Sequence, residues 1–434
     1  MIVRALSLGL GAALLVGRAA CDDASVAREL QELRKKAIAA YQSKDWPAFL
    51  NATRQAFQLQ PSRPGNAYNL ACAEALSGDF EAAARLLGGL LDQGIDYGLT
   101  DSPDFAEARK NPSFQPLLSR VAELSKPLGG STVAFRLLEK DLLTEGIAHD
   151  AKTGAFFVGS VHRRKIVRFS AEGQASDFVR SGQDGIEGVF ALAVDSPRRL
   201  LWASTAAVPQ MQGYEPRLEG STALVAIDLA SGRIVSRVAL EADGKPHVLN
   251  DLTVDSHGDV YSTDSVGGGV FVARRGGTRL ETFIPPGVFR SPQGLAFSAD
   301  GRSLYIADWT VGLFVVDRAS RIARPLAPPQ DAHLLGIDGL ARSGRDLVVT
   351  QNFLKPHQVA LLTLDDSGSR VLRTIVLDRA DAEFEEPTLG VVVGDSFYVV
   401  AKSQWGRFDE KTGAPAADLL VEPTILKIGL PPRG

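Results

Sequence analysis

Five oxygen-bearing side chains recur at one position of a repeated pattern. Glu145, Asn250, Gln293, Asp338 and Thr388 open the segments EGIAHDAKTGAFFVGSV (145–161), NDLTVDSHGDVYSTDS (250–265), QGLAFSADGRSLYIAD (293–308), DGLARSGRDLVVTQN (338–352) and TLGVVVGDSFYVVAK (388–402). A sixth copy, FALAVDSPRRLLWAST (190–205), places Phe190 there. Taken alone, an Asn at a strand start is a turn cap. The shared register across copies distant in sequence points instead to one common wall. Two carboxylates facing each other repel unless one is protonated or a cation lies between them. Glu145, Asn250, Gln293 and Asp338 offer only oxygens, which suits a hard divalent cation, Ca²⁺ first, with water filling the remaining positions. The six histidines show no HExxH spacing, so a zinc site built on histidine is not indicated. There is no Gly-x-Ser-x-Gly elbow either, and hydrolytic chemistry would depend on the cation site.

The elements that hold these residues read as short strands. Each copy is strand, tight turn, strand, and most run on into a third apolar strand such as GVFVARR, GLFVVDRAS or VALLTLD. Six copies of roughly 45 residues match four-stranded propeller blades. The expectation is a mainly β chain, a six-bladed β-propeller over residues 131–434, preceded by an α-helical domain. The first strand of each blade lines the central channel, so the six opening residues converge near one mouth. Asp251, next to Asn250, should point away from the channel into the blade or its loops. An open stack would leave edge strands unpaired, so STVAFRLL (131–138) and TILKIGL (424–430) are expected to complete one blade together.

Residues 24–125 carry a helical pattern with a period of 34: AYQSKDWPAFLNATRQAF (40–57) aligns with EALSGDFEAAARLLGGLL (74–91). Asp45-Trp46 falls on Asp79-Phe80, and Lys44 on Gly78 at the turn. NLACAEALSGDFEAAARLL resembles the tetratricopeptide family, which implies helix pairs that bind a peptide or protein partner. The plainer reading is a spacer that shields or positions the rest, and no single residue demonstrates a peptide groove. KPLGGST (126–132) ends the helical period. In front, residues 1–20 order Arg4, an apolar stretch from Ala5 to Gly17 and small residues as a signal peptide does, too short to remain as a spanning helix. The expected location is therefore periplasmic or secreted, with no transmembrane segment in the mature chain. Cys21 is a lipidation site only if Arg18 is tolerated before it, and Cys72 reads as a buried, inert thiol. Over 434 residues the net charge is −4, hydrophobic content 45 % and charged content 23 %. That describes a globular protein without the basic cluster that nucleic acid requires.

The succession EG, ND, a polar-Gly pair with SADGRSLYIAD, then DGL resembles the senescence marker protein, gluconolactonase and luciferin-regenerating-enzyme-like propellers, over about two thirds of the chain. NDLTVD, GIDGL, TQN and EEPTLG look like a less well characterised bacterial branch of that superfamily. The resemblance implies a metal held by Glu145, Gln293 and Asp338 with Asn250 beside it, and a lactone or ester substrate. Gln293 departs from the family, which has Asn there; one methylene adds about 1.5 Å of reach. In this reading Asp338 is the catalytic base or nucleophile and Glu145 anchors the metal. Asn250, Thr388 and Asn352 would orient substrate, with Phe190 an apolar wall. The expected function is an exported metal-dependent hydrolase. The competing expectation is a non-enzymatic binding or scaffold protein with a structural metal and peptide-binding helical repeats.

Overall fold

The computed structural model describes residues 19–432. The expected signal peptide therefore lies outside the described residues except for its last two positions, with which the first helix begins. The chain forms two units: a helical one up to Lys126, with which Gln330–His333 and Leu354–Pro356 are grouped, and a β one that holds the rest from Pro127 onward.

The helical unit contains α1 (Ala19–Gln42), α2 (Trp46–Leu59), α3 (Pro64–Leu76), α4 (Phe80–Asp92) and α5 (Gln115–Leu124). The sequence period is also a structural one. Asp45 and Asp79 cap α2 and α4, accepting the N–H groups of Ala48 at 3.1 Å and Ala82 at 2.9 Å, donors that a helix start otherwise leaves unpaired. The residue before each cap turns left-handed, with φ of 57° at Lys44 and 90° at Gly78, which ends the preceding helix. No helix among the described residues is long and apolar enough to cross a membrane.

The β unit is a six-bladed propeller of four-stranded antiparallel sheets. The inner strands of blades 1 to 6 are Thr144–Asp150, Gly188–Asp195, Leu249–Val254, Pro292–Phe297, Ile337–Ser343 and Gly390–Val393. Blade 6 is closed as the edge-strand constraint requires: Thr132–Arg136 pairs antiparallel with Thr424–Gly429, Thr132 opposite Lys427 and Arg136 opposite Thr424. The Pro127–Ser131 stretch ahead of it is fastened to blade 5, where Leu128 and Arg379 exchange main-chain hydrogen bonds of 2.9 and 2.7 Å and the Ser131 hydroxyl donates to Asp381 at 2.6 Å.

Each pair of neighbouring blades encloses its own apolar core. Phe157, Ile166 and Val179 of blade 1 meet Leu201, Val225 and Ile227 of blade 2, and a corresponding cluster fills each other gap. Strands covered on both faces read as short continuous apolar runs rather than strict alternations. At the end of the blades away from the inner-strand starts, arginines join neighbours. Arg318 of blade 4 donates to Asp255 of blade 3 at 2.7 Å, to the Tyr261 hydroxyl at 3.0 Å and to the Gly301 carbonyl at 2.8 Å. Its guanidinium lies 4.6 Å from the centre of the Phe297 ring, adding a cation–π contact.

Asp255 is buried, which alone would raise its pKa. The Arg318 guanidinium and the Asp259 and His257 amides outweigh burial and hold it below the ordinary carboxylate value. A depressed folded-state pKa contributes stability that is present above the unfolded value, about 3.9, and lost as pH falls through the folded one. Arg318→Met should therefore lower stability at neutral pH by about 1–3 kcal/mol, since a buried acceptor loses its partner. It should also flatten the fall in melting temperature on acidification, measured by thermal melts of both chains across that range.

Candidate functional site

The inner strands are interrupted where the site residues sit. In blade 1 the pairing passes from Thr144 opposite Ser160 to Ile147 opposite Val158, leaving Glu145 and Gly146 against the single residue Gly159. The same shift isolates Phe190 and Ala191, Asn250 and Asp251, Gln293 and Gly294, and Asp338 and Gly339. A bulge turns its side chains away from the sheet's regular alternation and bends the strand, and here it does so in five blades at one level. Thr388, expected at the start of the sixth inner strand, lies two residues ahead of it. Its N–H still reaches the Val400 carbonyl at 2.9 Å.

The residue after each site position explains the polar-Gly pairs. A Cβ on Gly146 would stand 2.5 Å from the Phe190 carbonyl oxygen, one on Gly294 2.6 Å from that of Asp338, and one on Gly339 2.5 Å from that of Thr388. Neighbouring blades touch backbone to backbone there, which only glycine permits. Blade 3 has Asp251 at this point instead. Its carboxylate fills the gap, accepting the Leu252 N–H at 2.7 Å and, across the gap, the Leu295 N–H of blade 4 at 3.2 Å.

The site is acidic and dry. Glu145, Asn250, Asp251, Asp338 and Thr388 are all buried. Burial raises the Glu145 carboxyl well above its usual range, with Asp338, Glu386 and Asp251 adding to the effect and the Trp405 hydrogen bond opposing it. Asp338 is pushed up to about 7 by burial, opposed by Asn352 and reinforced by Glu386. Asp251 is pushed up to about 8 by burial, against the two amides it accepts and with Asp338 reinforcing. Glu386 is raised as well, by burial first and by Glu385. Asp251 points into the gap between blades 3 and 4, in keeping with the expectation from sequence, and its charge still acts on Glu145. Among the described residues, no Lys or Arg pairs with any of these four carboxyls.

The amides are arranged in series. The Asn250 Nδ2 donates to Gln293 Oε1, and Gln293 Nε2 donates to the Ser291 hydroxyl at 3.0 Å. Gln293, expected to be a ligand oxygen, thus spends its extra reach inside the protein. Asn352 Nδ2 donates to Asp338 Oδ2 at 2.5 Å and to the Pro387 carbonyl at 2.9 Å. The Thr388 hydroxyl donates to the Glu145 main-chain carbonyl at 2.8 Å. Of the two residues expected to orient substrate, Asn352 is bonded to the Asp338 carboxylate and Thr388 to the Glu145 main chain. Asn250 Oδ1 and Asp338 Oδ1 are left buried without a partner, an arrangement that costs about 1–3 kcal/mol per group or more unless a ligand completes it.

Two tryptophans were not legible as site residues. Trp405 Nε1 donates to Glu145 Oε2 at 2.5 Å, and Trp309 Nε1 donates to Asn352 Oδ1 at 2.7 Å. Both lie in connections that follow a second strand, outside the repeat; the Asp-Trp pair ending SLYIADW was the one available signal. Among the described residues no three His, Cys, Asp or Glu side chains are grouped to hold a metal. Glu145, Asp338 and the Asn250 amide oxygen fit a hard cation in donor type, and the Asn250 and Asp338 oxygens are buried without a partner.

No protein-family model and no characterised protein sequence matches the chain. Among solved structures it is similar to a gluconolactonase from Xanthomonas campestris (16 % identity, 71 % of this chain and 93 % of that one, TM-score 0.48). It is also similar to a luciferin-regenerating enzyme (15 %, 70 % and 95 %, TM-score 0.47) and to regucalcin, a calcium-binding protein, from Agrobacterium tumefaciens (16 %, 69 % and 96 %, TM-score 0.47). Likeness at this level says nothing of chemistry, and the propeller is established by the strand pairings of this chain.

The blade contact at the mouth makes a direct prediction. Gly294→Ala must push the inner strand of blade 5, with Asp338, away from blade 4. Overpacking of this kind costs about 1–3 kcal/mol, to be read as a lower midpoint in urea with an unchanged slope.

Proposed function

We propose that the chain is a hydrolase of lactones or esters that works with a divalent cation, Ca²⁺ first, at the mouth of the propeller channel. The observation that carries this reading is the set of three buried carboxyls, Glu145, Asp251 and Asp338, without a basic partner among the described residues, together with the unpartnered oxygens of Asp338 and Asn250. Glu145, Asn250 and Asp338 would hold the ion. When bound, such an ion supplies a Lewis acid for the substrate carbonyl and its developing negative charge.

The remaining work falls to the chain itself. Asp338 is the base: Asn352 fixes its Oδ2, and the carboxylate so oriented takes a proton from an attacking water. Asn352 is in turn held from two sides, by the Trp309 indole and by the Pro387 carbonyl, so the carboxylate keeps one orientation. A base fixed in this way contributes through geometry as much as through proton affinity. Phe190, 6.0 Å from the Trp405 ring, walls the Glu145 side with apolar surface and keeps bulk water from it. The signal-like order of residues 1–20 supports a location outside the cytoplasm.

A binding or scaffold protein with a structural ion is the second reading. It draws on a groove of the helical unit along α1 and α2, lined by Leu33, Lys36, Ala40, Asn51 and Gln55, where a peptide would lie.

Two measurements decide. Ca²⁺ should raise the melting temperature and a chelator should reverse it, because an ion that binds the folded chain alone stabilises it. Gln293→Asn, which shortens the side chain and frees the Asn250 amide, should enlarge that shift; no shift with any divalent ion removes the site. Asp338→Ala should abolish turnover of a lactone and ester panel while the melt stays cooperative. Failure of the unaltered chain to hydrolyse any member with Ca²⁺, Mg²⁺, Mn²⁺ or Zn²⁺ leaves the scaffold reading.

A further inference from the structure

The connection after the second strand of blade 6 spans residues 401–423, between Ser396–Val400 and Thr424–Gly429. Its counterparts in blades 1, 3 and 4 are short, joining Ser160 to Lys165, Asp264 to Gly269 and Asp308 to Gly312. It turns at Gln404, whose φ is 75° and whose amide donates to the Lys140 carbonyl at 2.9 Å. Three consecutive residues then each donate to a different carboxylate. Trp405 Nε1 reaches Glu145 Oε2 at 2.5 Å, the Gly406 N–H reaches Glu386 Oε2 at 3.2 Å, and Arg407 Nε reaches Glu385 Oε1 at 2.8 Å. Below them Phe408 is buried against Leu143, Val161, Phe190 and Ala206.

Of these three contacts the first ends on a carboxylate of the channel itself. Asp338, the other carboxylate at the mouth, is treated in parallel, with Trp309 acting on it through Asn352. In both cases an indole N–H, a donor with no acceptor role, comes from outside the repeat to fix a charge-bearing group of the repeat. Among the described residues Trp405 is the side-chain donor to the Glu145 carboxylate, whose orientation is thereby tied to the 401–423 segment.

We propose that Trp405 is the positioning residue for Glu145 and that the same hydrogen bond latches the 401–423 segment across the channel mouth. Glu145 and the segment are then two ends of one equilibrium. Opening the segment releases the carboxylate, and drawing the carboxylate elsewhere loosens the segment, by the same factor in each direction. Gly406 and Arg407 strengthen the closed form through Glu386 and Glu385 of blade 6, without touching Glu145 or Asp338.

The proposal rests on Glu145 being a working carboxylate of the site proposed above, but its test needs neither ion nor substrate. The folded full-length chain is treated with trypsin, and cleavage within the segment, at Lys402, Arg407 and Lys411, is timed. Trp405→Phe keeps the ring and removes the N–H; Glu145→Ala removes the acceptor. Each should speed that cleavage roughly tenfold, the effect of losing one charge-assisted hydrogen bond. The double variant should be no faster than either single one, because both remove one interaction. Trp309→Phe, which acts on Asp338, should leave the segment closed. A spectroscopic arm separates positioning from general loosening: Glu145→Gln should shift the tryptophan emission of the unaltered chain and leave that of the Trp405→Phe chain unmoved. Cleavage of Trp405→Phe at the unaltered rate, multiplying effects in the double variant, or an emission shift that survives Trp405→Phe would each overturn the latch. Absence of any Ca²⁺-dependent melt ends the proposed function and leaves the latch to be judged by cleavage.

Discussion

Neighbouring inner strands approach one another at the channel mouth until, in three of the gaps, no side chain fits between them. The Gly146, Gly294 and Gly339 positions lie against the main-chain carbonyls of the following blades. Much else depends on that approach. A bulge accompanies it in five blades and turns the opening residue of each out of the sheet's regular alternation. Hydroxyls from the second strands fasten the arrangement across gaps: Ser204 donates to the Asn250 carbonyl and Thr263 to that of Gln293. The ring thus places polar groups by main-chain contact, and side-chain packing between blades supplies the stability that such placement consumes.

The consequence is a group of acids in a place where acids are costly. Burial raises the proton affinity of Glu145, Asp251, Asp338 and Glu386, and nearby carboxylates add to it. The protein meets them with indole and amide N–H donors, which orient a carboxylate without neutralising it. A lysine or arginine would have quenched the site; Trp405, Asn352 and Trp309 leave its charge available. This division of labour distinguishes the mouth from the opposite end of the blades, where Asp255 is matched to Arg318 and serves structure alone.

The repeat was legible in sequence because physics repeats it: each blade needs a turn, two faces of apolar side chains and a small residue at the blade contact. Glu145, Asn250, Gln293 and Asp338 could be aligned for that reason, and the strands of residues 132–136 and 424–429 could be joined because a ring leaves no free edge. Trp405, Trp309 and Glu386 could not be read. They sit in connections whose length and composition differ from blade to blade, and no periodicity constrains them. Asp251 was read as turning from the channel into the blade, and its carboxylate does lie between blades 3 and 4. What sequence did not show is that it takes the place glycine holds at three other blade contacts. Gln293 was recognised as a departure, while its partnership with Asn250 depends on the curvature of two strands from different blades.

Closure of the sixth sheet also sets a schedule. Thr132–Arg136 is made before any complete blade, yet its partner Thr424–Gly429 is made after all the other strands. Throughout synthesis the nascent chain therefore carries an unpaired strand at its front and a growing sheet edge at its rear, surfaces that invite pairing with other chains. The pairing that removes both hazards joins residues nearly the whole β unit apart, and contacts of such separation form slowly. A ring sewn in this manner is guarded, once shut, against unravelling from either end, and most exposed to its neighbours in the interval before the final strand arrives.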